Sequence, residues 1–177
     1  MSESSYAKLI GTALIVSEDA VATRCLAEAM QELALSVEVC IKVSDALDRV
    51  KHSKLEVCVI DFLLGSQATR FLEQVRASAS NRTAVTFAVT SSSAQTAQVL
   101  KIGSSFALER PLTLDSIRQT LNAAYGLIVR ERRRYFRCPI SVPAAASGKG
   151  ELEVFGRTVN VSERGMALST YAADAGR

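Results

Sequence analysis

Five short apolar runs recur along the first two thirds of this chain, at residues 12–16, 37–41, 57–60, 84–89 and 105–108, with stretches of helical spacing between them. The runs at 12–16 and 57–60 are almost continuously apolar, which marks strands covered on both faces, the condition of a parallel sheet. Between the runs, Ala22, Cys25, Leu26, Ala29, Met30 and Leu33, then Ala68, Phe71, Leu72 and Val75, then Ile117, Leu121, Ala124 and Ile128 recur three and four residues apart, each set forming one helix face. Ser44 and Thr113 stand where helix caps are wanted, and Gly103 where a helix over 94–102 should stop. Parallel strands need crossover connections, and here helices supply them. Residues 1–126 are therefore expected to form an α/β domain with a five-stranded doubly wound parallel sheet.

Ligands of such sheets bind at the carboxyl ends of the strands, which here carry Ser17, Glu18, Asp61, Thr90 and Arg110. An acidic exit from the first strand, an aspartate after the third, a hydroxyl after the fourth and a basic residue before Pro111 after the fifth resemble the receiver domain of bacterial response regulators. The resemblance implies that Asp61 is the phosphoacceptor, Glu18 a Mg²⁺-holding acid, Thr90 the hydroxyl that contacts the phosphoryl group, and Arg110 the replacement for a lysine whose bond to proline is typically cis. Ser17 stands where the family carries a second acid. Losing one carboxylate weakens a Mg²⁺ site, so little metal is expected at Glu18 and Asp61. Asp19 could replace the missing acid only if the strand exit were shifted by a residue. Two readings follow: inefficient phosphorylation of Asp61, or a pseudo-receiver in which Asp61 pairs with Arg110. The second is preferred.

The last helix is expected to run on toward Arg130, although Gly126 weakens it by about 1 kcal/mol relative to alanine. It leads into Arg130–Arg137, where five arginines against one glutamate give +4, while the whole chain carries only +3 and its remainder therefore −1. A guanidinium binds phosphate bidentately, pairs with the edge of guanine and stacks on aromatic faces. Past Pro139 the pattern changes to strands, at 140–142 and 151–155 around a turn at 147–150, with another strand from Gly165. Arg133 and Arg137, followed after 22 residues by Asn160-Val161-Ser162-Glu163-Arg164-Gly165, resemble the paired signature of PilZ domains. The resemblance implies the start of an antiparallel β-barrel over 134–177 and cyclic di-GMP as ligand. Arg132, Arg133 and Arg137 would clamp its phosphates and guanines, Asn160 and Ser162 would hydrogen-bond it, and Gly165 would permit the turn. Residues 127–137 would be the helix end and linker.

Only about the first half of such a barrel is present, so truncation, or completion by another subunit, is expected, and an uncovered edge invites association of copies. Four scattered cysteines, Cys25, Cys40, Cys58 and Cys138, and the single His52 give neither metal spacing nor a hydrolytic triad, so no enzyme is expected. No apolar run is long enough to span a membrane and no secretory leader opens the chain, which points to the cytoplasm. Confinement of the charge to eight residues argues against DNA binding. The expected function is a cyclic di-GMP-responsive adaptor acting on an unidentified protein partner. The alternative is a receiver governed by phosphorylation of Asp61, with a barrel remnant that binds nothing.

Overall fold

The structure, a computed structural model, describes residues 10–135, 140–148, 150–162 and 165–170. Contacts divide the chain into two units, at Glu131/Arg132. In the first unit, strands β1 (Gly11–Val16), β2 (Leu35–Cys40), β3 (Val57–Asp61), β4 (Val85–Thr90) and β5 (Phe106–Glu109) form one parallel sheet in the order β2-β1-β3-β4-β5. The helices are α1 (Ala20–Glu32), α2 (Val43–His52), α3 (Ser66–Ala77), α4 (Ser93–Lys101) and α5 (Leu114–Tyr135), with a 3₁₀ turn at Phe62–Leu64. Strand residues alternate between two cores. Ala13 and Ile15 of β1 join Leu26 and Met30 of α1 and Ile117, Leu121, Ala124 and Ile128 of α5, while Leu14 and Val16 join Phe71 and Leu72 of α3 on the other side. Burial on both faces is what the unbroken apolar runs require.

Among these elements, β2, α2 and α5 depart from the pattern read in the sequence. β2 begins at Leu35, two residues early, because α1 ends through Ala34 in the left-handed region at φ 57° and the chain turns straight into the sheet. Ser44 is not the cap of α2. Extended Lys42 holds that position without a side-chain hydrogen bond, the helix starts at Val43 because that residue is buried in the core, and the Ser44 hydroxyl bonds Asp45 instead. α5 continues helical through Gly126 and on to Tyr135, further than its expected end near Arg130. Thr113 does cap α5: its Oγ1 accepts from Ser116 N at 3.1 Å, and Ser116 Oγ accepts from Thr113 N at 3.2 Å.

In the second unit, β6 (Pro143–Gly148), β7 (Gly150–Ser162) and β8 (Gly165–Thr170) form an antiparallel sheet in the order β6-β7-β8. Ile140 to Val142, expected as strand, precede β6 because the Thr158 side chain intervenes in the ladder. Thr158 N donates to Val142 O at 2.9 Å, but Val142 N donates to Thr158 Oγ1 at 3.0 Å rather than to a carbonyl.

Candidate acceptor site

The reversal of strand order in this sheet falls between β1 and β3, and ligands of such sheets bind at the carboxyl ends of the strands beside that point. Ser17 leaves β1 there and Asp61 closes β3 beside it, both buried. Ser17 Oγ donates to Asp61 Oδ2 at 2.7 Å. Arg110 arrives from the end of β5, after a backbone hydrogen bond of 2.9 Å to Thr90 O and before a cis bond to Pro111. Its Nη2 donates to Asp61 Oδ2 and its Nη1 to Asp19 Oδ2, each at 2.7 Å. Asp61 Oδ1 accepts from Leu63 N at 3.0 Å in the 3₁₀ turn. Both oxygens of the carboxylate are thus engaged, by a hydroxyl, a guanidinium and a backbone amide.

Asp19 serves twice. Its Oδ1 caps α1 by accepting from Val21 N at 2.9 Å and Ala22 N at 3.0 Å, leaving Oδ2 for Arg110. The Ala22 amide and the Arg110 guanidinium hold its carboxyl below the usual carboxylate range. For Arg110, burial pulls the other way, but hydrogen bonds and charge from Asp19 and Asp61 outweigh it and the guanidinium is raised above its ordinary value.

The residue assigned to hold metal is placed differently from expectation. Glu18 is exposed and makes no ion pair among the described residues, while Asp19, one position on, faces Arg110. The signal was present in the sequence: aspartate is a preferred residue immediately before a helix, and capping α1 turns Asp19 inward. Thr90 is fully buried at the site's edge, with its hydroxyl 2.8 Å from Thr96 Oγ1 of α4. Thr96 and Ser93 donate in turn to Glu109 at 3.3 Å, a relay that the sequence reading missed. A divalent cation does not fit this donor set. A guanidinium already lies within hydrogen-bond distance of both facing carboxylates, Ser17 offers a hydroxyl, and the described residues hold no group of three or more His, Cys, Asp or Glu side chains with metal-site geometry.

The residues assigned to the dinucleotide fall in the second unit. Arg132 and Arg133 lie in the last turn of α5, Arg132 half-buried and Arg133 exposed, while Arg137 lies outside the described residues. Asn160 and Ser162 occupy the end of β7 opposite Ala167 and Gly165 of β8, and Ser162 Oγ donates to Gly165 O at 3.1 Å. A register irregularity between Thr158 and Asn160 adds a residue to β7, as a β-bulge does, just before the motif. Glu163 and Arg164 lie outside the described residues.

Among solved structures, the chemotaxis response regulator CheY4 of Vibrio cholerae superposes with a TM-score of 0.58 at 16% identity, over 63% of this chain and 96% of its own. The fold is that of a receiver domain. A putative response regulator from Chloroflexus aurantiacus gives a TM-score of 0.60 at 16% identity, over 68% of this chain and 98% of its own. The Francisella response regulator 1452 receiver domain gives 0.57 at 20% identity, over 68% and 98%. No protein-family model and no curated protein matches the sequence. Among the described residues, no helix of the receiver-fold chain is long and apolar enough to cross a membrane.

Proposed function

We propose that this chain is a non-enzymatic cytoplasmic signalling adaptor whose receiver-fold unit works without an aspartyl-phosphate cycle. The observation that carries this reading is Arg110, which spans Asp19 and Asp61 at 2.7 Å each. An acceptor carboxylate attacks phosphorus with a free oxygen and relies on a cation to neutralise the phosphoryl group. Here the cation is tethered to the protein and already paired, and Asp61 is buried behind it. The unit is then a scaffold in a fixed state, and its output is a surface for a protein partner. Beryllofluoride with Mg²⁺ tests this: the backbone amide spectrum around Asp61 and Thr90 stays unchanged under the proposal, and saturable shifts there would restore phosphorylation as the input.

A second observation favours cyclic di-GMP as the input. Asn160, Ser162 and Gly165 come together at the β7–β8 turn, and the arginine segment of α5 precedes that sheet in the same chain. The reading takes the segment as an incomplete PilZ domain, with Arg132, Arg133 and Arg137 on the phosphates and guanines and the turn on the opposite face of the ligand. Calorimetric titration of the full chain with cyclic di-GMP, beside GTP, tests it. Micromolar binding that an Arg133→Ala, Arg137→Ala double variant loses is the expected result, and heat equal for both nucleotides would reduce the segment to a charged linker.

A further inference from the structure

The one acid in the run Arg130–Arg137 is buried. α5 presents Ile117, Leu121, Ala124 and Ile128 to the core, and the next position of that stripe is Glu131, 3% exposed, while Arg130 and Arg133 are exposed. Glu131 Oε1 accepts from Lys54 Nζ at 2.6 Å and from Thr83 Oγ1 at 2.8 Å. Lys54 Nζ also donates to Ser80 O at 2.9 Å. The two loops that supply these partners are stapled to each other by Asn81, fully buried, whose Oδ1 accepts from Leu55 N at 2.8 Å and whose Nδ2 donates to Val50 O at 2.8 Å and Ser53 O at 2.9 Å. Glu131 therefore meets a rigid platform at the amino ends of β3 and β4.

A leucine at that stripe position would satisfy packing alone. A buried ion pair brings desolvation cost with it, and what it adds over an apolar contact is a restricted geometry. We infer that Glu131 is a positioning residue for the arginine segment: its contacts with Lys54 and Thr83 set the rotational phase of α5 where the helix passes to Arg132–Tyr135. The same contacts make the loops around Lys54 and Thr83 the part of the receiver unit that senses an anion on the arginines. This rests on the anion-binding reading of that segment. One carboxylate on the core face thereby orients the helix end that carries the guanidiniums.

Amide hydrogen exchange on the full-length chain tests this, with Glu131→Gln, Glu131→Asp and Glu131→Leu beside the native protein. The expected result without ligand is at least tenfold faster exchange over 130–135 in Glu131→Gln, partial recovery in Glu131→Asp, and unchanged exchange in β1 and β3. Exchange over 130–135 equal to the native protein overturns the anchor. With cyclic di-GMP, the native chain is expected to gain protection over 53–56 and 79–84. Glu131→Leu, folded with an apolar stripe intact, is expected to lose that gain and to bind about tenfold more weakly. Native-like binding and protection in Glu131→Leu overturns the positioning role. If the native chain binds no cyclic di-GMP, the ligand reading fails, and the anchor is decided by the ligand-free exchange alone.

Discussion

At Arg110 one side chain neutralises two carboxylates, and the consequences can be read in stability. Asp61 is 2% exposed, so removing its cation leaves a charge that water cannot reach. Arg110→Ala is expected to destabilise the receiver unit by about 3 kcal/mol, the scale for breaking a buried pair from one side, measured as a lowered urea midpoint. Arg110→Lys should recover only part of this, because one ammonium cannot reproduce a fork that reaches Asp19 and Asp61 together. Asp19 carries the pH dependence. Its folded carboxyl titrates below the usual carboxylate range, so its contribution is complete above the unfolded pKa and is lost as pH falls through the lowered folded value. Thermal denaturation from about pH 5 down to pH 2 should therefore show a smaller loss in Asp19→Asn than in the native chain. Cys58 is the opposite case. Burial pushes its thiol up to about 12, so mass-mapped alkylation at pH 8 should leave Cys58 unmodified in the folded chain and modify it in denaturant.

At the scale of elements, Gly65 and Gly126 act on their helices with opposite signs. Gly65 closes the 3₁₀ turn after Asp61 and opens α3 at φ 60° and ψ −132°, a conformation that side chains rarely adopt. A Cβ there would meet nothing within 4 Å, so the cost of Gly65→Ala is backbone strain alone, about 1–2 kcal/mol. Gly126 also has nothing within 4 Å, but it sits inside α5, and Gly126→Ala should stabilise by about 1 kcal/mol. Chemical denaturation of the two variants gives both signs. These elements also show what could be read from the chain. β1 and β3 were legible because their runs are almost continuously apolar, and the faces of α3 and α5 because Phe71, Leu72, Leu121 and Ile128 repeat at helical spacing. The start of β2 was not, because Ala34 takes a left-handed conformation that sequence assigns to glycine. The inward turn of Asp19 in place of Glu18 was legible only through the helix-cap preference, since both are acids at a strand exit and the capping of α1 alone separates them.

At the scale of the whole molecule, the chain holds a receiver-fold unit and a three-stranded antiparallel sheet, and α5, which precedes the sheet in sequence, carries the buried Glu131 and the arginines after it. The pairing of Asp61 with Arg110 was legible through the resemblance to a receiver domain, which sets the basic residue before Pro111 toward the acceptor aspartate. What the chain did not reveal was that Asp19 shares the same guanidinium, which closes the site from both sides. The sheet shows why composition alone says little of the second unit: Phe155, Val159 and Met166 remain exposed on it, so its apolar content is not a measure of its core. The central claim is that the receiver unit signals without phosphorylation. The measurement that tests it most directly is intact mass of the full chain after incubation with acetyl phosphate and Mg²⁺, with peptide mapping at Asp61. The account predicts an unchanged mass. A stoichiometric gain of one phosphoryl group on Asp61 would contradict it, because the carboxylate would then have to exchange Arg110 for a metal ion and a phosphodonor.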